Sequence, residues 1–180
     1  MINLEKKIAE KTLEILKTKS WDNLSLSDVL KNSDKKNNIK SKFDLLKNIN
    51  RYVDNLLILE MRYLEESSAK DMLFEVLMAR FDILQLNRES FLKIHKNFKQ
   101  KPQLFIKLLP SFLESMIVTA ELSKYNVNGL KGTIRVKGLM AVYFLTFFQW
   151  IDDKTPSLEK TMTVLDKNLN QAEKFGKLMI

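Results

Sequence analysis

The stretch GLMAVYFLTFFQWIDDKTPSLEKT, residues 138–161, decides the fold. From Leu139 to Ile151 only Thr146 and Gln149 are not apolar, so a helix here is hydrophobic nearly all round and must be covered on all sides. Arg135 and Lys137 precede the run and Asp152, Asp153 and Lys154 follow it. That leaves it short of the about 20 apolar residues a membrane-spanning helix needs. It reads as a core helix with more apolar surface than its own chain covers, and the excess is assigned to a second protomer.

Downstream, DDKTPSLEKT is a turn in which Thr155 or Ser157 caps a last helix carrying Leu158, Met162, Val164, Leu165, Leu169, Ala172 and Phe175. Gly176 is its expected C-cap. Val142, Thr146, Gln149 and Trp150 lie along one stripe, and Leu158, Met162, Leu165 and Leu169 along another. Two such helices from each of two protomers would make a four-helix homodimer interface. Upstream, YNVNGLKG turns at Gly129 and Gly132 before the central helix. Pro110 begins or kinks the helix holding Phe112 and Met116, Pro102 opens another, and Asn87 caps one from Arg88 to Phe98. The segment from Ala69 to Leu86 is amphipathic over about five turns.

The N-terminal residues 3–18 alternate Leu4, Ile8, Leu13 and Leu16 with lysines and glutamates, the pattern of a first amphipathic helix and not of a secretory signal. Trp21 follows, then a short helix capped by Ser25 or Asn23, a polar stretch from Asn32 to Lys42, and a long helix restarted by Ser41. With four glycines, three prolines and no strand-like alternation, the class is all-α. The expected division is a head, residues 1–50, and a ligand and dimerisation domain, residues 51–180.

The absence of cysteine excludes disulfides, thiolate catalysis and cysteine metal sites. In the net charge of +8 lysine far outnumbers arginine, which reads first as compositional bias and second as an attraction for nucleic acid or an anionic membrane surface. Catalysis has little to work with. His95 is the only histidine, so no metal set forms around it, and none is expected. Glu65–Glu66 and Asp152–Asp153 are adjacent pairs, off the i, i+4 spacing of a shared helix face, and read as helix-end solvation. Ser111 and Ser115 have no general base in prospect, and no cofactor is implied.

A helix, Trp21, a short helix beginning at Ser25, and the Ser41–Lys42 start of a long helix resemble the helix-turn-helix head of TetR repressors. In those repressors the recognition helix lies between the second helix and the serine-lysine pair. Here only KNSDKKNNIK, residues 31–40, stands there, with Ile39 its one apolar anchor. The resemblance therefore implies a degenerate head, and Ser25, Ser27, Lys35, Lys36, Lys40 and Lys42 are the DNA-facing set under the alternative reading of a transcriptional regulator.

A second resemblance covers about 110 residues. MLFEVLMARFDIL, the apolar helix, the Asp-x-x-Pro turn of Asp153 and Pro156, the Leu165–Asp166 pair and the AEKFGK ending are similar to the ubiquinone-biosynthesis accessory family typified by the ninth coenzyme Q protein, in its alphaproteobacterial form. That resemblance implies a TetR-like fold used without DNA, a homodimer through the last two helices, and a cavity for an isoprenoid or phospholipid. It also implies assistance to ubiquinone enzymes, in the cytoplasm or peripheral to the inner membrane. Phe74, Met78, Phe81, Phe112, Met116, Met140, Tyr143, Phe144 and Phe147 are the candidate lipid-lining side chains; close-packed core is the plainer reading of the same stripes. A helical scaffold dimer is a third reading.

Overall fold

The structure, a computed structural model, describes residues 3–30, 38–63 and 67–178. Lys35, Lys36, Glu65 and Glu66 lie outside the described residues. Among the described residues the regular elements are all helical: α1 (Asn3–Thr18), α2 (Leu26–Val29), α3 (Lys42–Glu60) with a 3-10 turn at Met61–Tyr63, α4 (Ala69–Gln85), α5 (Arg88–Gln100), α6 (Pro102–Leu122), α7 (Gly129–Asp152) and α8 (Glu159–Leu178). Two compact units emerge, one from Met1–Leu57 with Ile83–Phe112, the other from Ile58–Asp82 with Leu113–Ile180, within the described residues. The first unit thus draws α5 and half of α6 back onto the N-terminal helices.

In that first unit Leu13, Leu16, Trp21, Val29, Leu45 and Ile49 form the buried centre, and Ile94 and Leu108 join it from α5 and α6. Two polar side chains, Ser90 and Asn50, are paired across it. The Ser90 hydroxyl donates to the Leu13 carbonyl at 2.6 Å, and the Asn50 amide donates to the Ser111 carbonyl and hydroxyl, each at 3.0 Å. The short α2 forms because Ser25 closes a capping box: its hydroxyl accepts from the Asp28 N–H at 3.2 Å while the Asp28 carboxylate accepts from the Ser25 N–H at 2.8 Å. Ser41 caps α3 in the same way, accepting from the Asp44 N–H at 3.2 Å.

The second unit is built on α7 and α8, which pack along one another. Phe81 of α4 stacks on Tyr143 at 5.6 Å, and Phe147 stacks on Trp150 at 5.4 Å. Thr146, fully buried, returns its hydroxyl proton to the Val142 carbonyl and accepts from the Asn168 amide at 3.2 Å. The turn into α8 is held by Asp153. One of its carboxylate oxygens accepts from the Thr155 N–H and hydroxyl at 3.0 and 2.6 Å, the other from the Thr161 N–H and hydroxyl at 2.8 Å each. Burial opposes ionisation of Asp153, but these four donors outweigh it and hold its carboxyl well below the usual carboxylate range.

Four expectations change. Pro110 neither begins nor ends a helix: α6 runs through it from Pro102 to Leu122, because Pro110 and Ile106, whose carbonyl lacks the proline's N–H, both lie on the exposed side where water substitutes. The central helix starts at Gly129, not after Gly132. Gly132 is instead packed so tightly that a Cβ there would sit 2.1 Å from the Val127 backbone carbon. The last helix continues past Gly176 to Leu178, and Asp153 is a buried cap where solvated helix-end charge was expected. With about one added turn, α7 is long and apolar enough to cross a membrane, as is α6, though the core helix of a soluble protein passes the same test of length and composition.

Candidate functional site

Among the described residues of the second unit, an apolar groove of about 590 Å³ lies between α7 and α8. Its α7 wall is set by Ile134, Leu139, Val142 and Leu145, and its α8 wall by Leu169 and Ala172. Leu73 of α4 and Ala120 of α6 close its depth. These positions follow from helical spacing: Leu139 and Val142, and Leu169 and Ala172, sit three residues apart on facing sides of the helix pair.

Its charged lining residues are Lys70, Arg135 and Glu173, and Tyr125, Asn126, Asn168 and Gln171 add uncharged polar groups. Lys70 donates to the Asn170 side-chain carbonyl and lies 4.0 Å from the Glu173 carboxylate. Tyr125 and Arg135 also line the groove. The Tyr125 hydroxyl is pushed above its ordinary pKa, first by burial and then by the Glu173 charge, with Arg135 pulling the other way. A groove with mainly hydrocarbon walls and a few charged lining groups suits a long apolar molecule with a polar head.

None of the nine candidate lipid-lining residues borders this groove. Phe81, Met116, Tyr143 and Met78 are buried, and Phe74, Met140, Phe144 and Phe147 are half-buried; Tyr143 touches the rings of Phe81, Phe144 and Phe147 within 6.1 Å, the geometry of a packed aromatic core. Phe112 lies in the first unit, in a ring chain with Phe105 and Phe98. The groove is lined instead by small and branched aliphatics, among them Val142 and Leu169, which were expected at the dimer interface. Alternation of large and small residues along α7, with Gly138 and Ala141 at its edge, is the signal that marks it.

The eight dimer candidates divide differently. Val142, Thr146, Trp150, Leu158, Leu165 and Leu169 are buried within the single chain, so a second copy has no access to them. Gln149 is half-buried and Met162 exposed. Val142 and Leu169 are the two that line the groove. The physical cause is that α7 and α8 satisfy each other: the stripe each offers is covered by the other before a partner arrives.

The head offers little free chemistry to a phosphate backbone. The Ser25 hydroxyl is committed to the α2 cap and to Ser27, at 2.8 Å. Lys42 donates its ammonium to the Trp21 and Asp22 carbonyls at 2.5 and 3.2 Å and lies over the Trp21 ring. Desolvation there, with Lys101 nearby, lowers the Lys42 pKa against the pull of Asp22. Asp22 is itself bound by Lys101 and by the Asn97 amide. Lys40 remains exposed. His95 is half-buried on α5, and among the described residues no group of three or more acidic, histidine or cysteine side chains gathers for a metal ion. No known family model matches the chain, and no curated protein matches it.

Proposed function

We propose that the protein is a non-catalytic lipid-binding protein of TetR-like architecture, in which the groove between α7 and α8 holds the chain of an isoprenoid or phospholipid. The observation that carries this reading is the groove itself: about 590 Å³, inside the range of about 300–1,000 Å³ occupied by small-molecule sites, mainly apolar in its lining, with Lys70, Arg135 and Glu173 as its charged residues. The similarity of residues 72–84 and 135–177 to the ubiquinone accessory family supports placing that ligand, and the enzymes it serves, in ubiquinone biosynthesis. An N-terminal head over residues 1–50 without a competent recognition helix belongs to the same reading.

The test is native mass spectrometry of the protein purified from a ubiquinone-making host, with lipid extraction of the same sample. A stoichiometric amphiphile supports the proposal. Ala172→Trp fills the groove from α8 and is expected to lower lipid occupancy at least about tenfold with the helical content unchanged. Protein that carries no lipid in either form, and binds one DNA sequence tightly at physiological salt, would replace this reading with a transcriptional regulator. That second reading draws on the α1–α2–α3 head and the exposed Lys40.

A further inference from the structure

The lining of the groove holds two hydrogen-bond donors that find no partner among the described residues. Arg135 stands one turn before Leu139 on α7, and Val142 follows three residues later, so the guanidinium heads a row whose next two members are apolar wall. Among the described residues it makes no hydrogen bond and no ion pair. Tyr125, half-buried in the connection from α6 to α7, is placed by its own N–H, which donates to the Ala120 carbonyl at 2.9 Å. Its hydroxyl likewise has no hydrogen-bond partner among the described residues, and the Arg135 charge reaches it. Lys70, the other cation of the lining, is already engaged by the Asn170 side-chain carbonyl and, at 4.0 Å, by the Glu173 carboxylate.

Burial and the Glu173 charge keep the proton on the Tyr125 hydroxyl, so it is a donor to whatever lies beside it. The Arg135 guanidinium adds a planar fork of N–H groups matched to two oxygens of one acid group. Donors of this kind next to a hydrocarbon wall suit an oxyanion with an apolar tail. The lining also limits the charge of that head: two cations, Lys70 and Arg135, against one anion, Glu173, leave a single positive charge. A carboxylate balances it, whereas a phosphate monoester, at about −1.5 to −2 near neutral pH, meets Glu173 with charge to spare. Size limits the tail. At about 30 Å³ for a water-sized group in a liquid, the 590 Å³ of the groove takes about 20 heavy atoms, which is one long chain with its head and not the two chains of a phospholipid.

We propose that the groove takes a single-chain amphiphile ending in a carboxylate, its acid group held by the Arg135 fork and the Tyr125 hydroxyl and its chain laid along Leu139 and Val142. This rests on the lipid reading and narrows it: a neutral isoprenoid or a two-chain phospholipid is a poorer occupant than a chain-bearing acid. The apolar wall selects for a chain of any kind. Arg135 and Tyr125 are the residues that select its head.

The test is displacement of Nile red, a neutral apolar dye, from the lipid-stripped full chain by dodecanoate, dodecanol and dodecyl phosphate, each below its micelle concentration. Dodecanoate is expected to bind at least about tenfold more tightly than dodecanol, and more tightly than dodecyl phosphate. Arg135→Gln, at an exposed position, should remove the preference over dodecanol while leaving dodecanol itself and the circular dichroism spectrum unchanged. Tyr125→Phe should weaken dodecanoate alone, Glu173→Gln should bring dodecyl phosphate up towards it, and Ala172→Trp should weaken all three. Equal binding of acid and alcohol, a preference that survives Arg135→Gln, or a preference for dodecyl phosphate overturns the assignment of the head and leaves the lipid reading standing. Binding indifferent to Ala172→Trp places the chain outside the groove and overturns the assignment too. If none of the three displaces the dye, the lipid reading itself falls, and the assignment with it.

Discussion

Replacing Asp153 by alanine removes an acceptor for four hydrogen bonds at the junction of α7 and α8, and the size of the loss can be worked from which donors water can reach. Thr155 is half-exposed and its N–H and hydroxyl can turn to solvent; Thr161 is fully buried, and its N–H and hydroxyl cannot. Two buried donors are then left unpaired, at about 1–3 kcal/mol each, partly offset because the carboxylate no longer has to be desolvated. The expected net is about 3 kcal/mol, a fall in Tm of about 6–12 °C for a chain of this size. The effect should also depend on pH in one direction. The folded-state carboxyl titrates below its unfolded value, so its stabilisation is complete above pH of about 4 and is lost as the pH falls through the folded pKa. Urea titrations of wild type and Asp153→Ala at neutral pH and at two acid pH values check both parts. A Tm loss under about 2 °C, or a stability gap that stays constant into acid, would refute the reasoning.

Glycine substitutions on α7 should behave oppositely although they are six residues apart. Gly132→Ala drives a Cβ to within 2.2 Å of the Val127 carbonyl carbon and oxygen and should cost about 3 kcal/mol or more, whereas Gly138→Ala is expected to gain about 0.5–1 kcal/mol from helix propensity; differential scanning calorimetry distinguishes them. Lys42→Ala removes the ammonium from the Trp21 and Asp22 carbonyls, of which Trp21 keeps the Leu24 N–H at 3.3 Å, and should lower stability by about 1 kcal/mol in urea denaturation. Lys40→Ala, at an exposed side chain, should stay within about 0.5 kcal/mol of wild type in the same experiment.

Much of the helical skeleton was open to a reading of the chain alone, for a local reason. The caps at Ser25 and Ser41 bond to groups three residues away, and the amphipathic spacing of α1, α3 and α5 separates wet from dry by itself. Where a residue's partner is farther along the chain, the local pattern is silent. Asp153 looked like helix-end charge because Thr161 is eight residues on, and Lys42 looked like a DNA contact because the carbonyls it holds are about twenty residues back.

What the amino-acid order determined by itself is the all-α class, the approximate place of the helices, and the exceptional apolarity of residues 139–151. What only tertiary structure decided is which face of that segment is core. A helix apolar all round carries no moment strong enough to orient it, so Val142, Thr146 and Trp150 turn inward, and Leu145 and Phe148 outward, because α8 covers one side of α7 along its length. The groove follows from the same choice: its walls are contributed by residues from α4, α6, α7 and α8, and no local spacing relates side chains that only packing brings together.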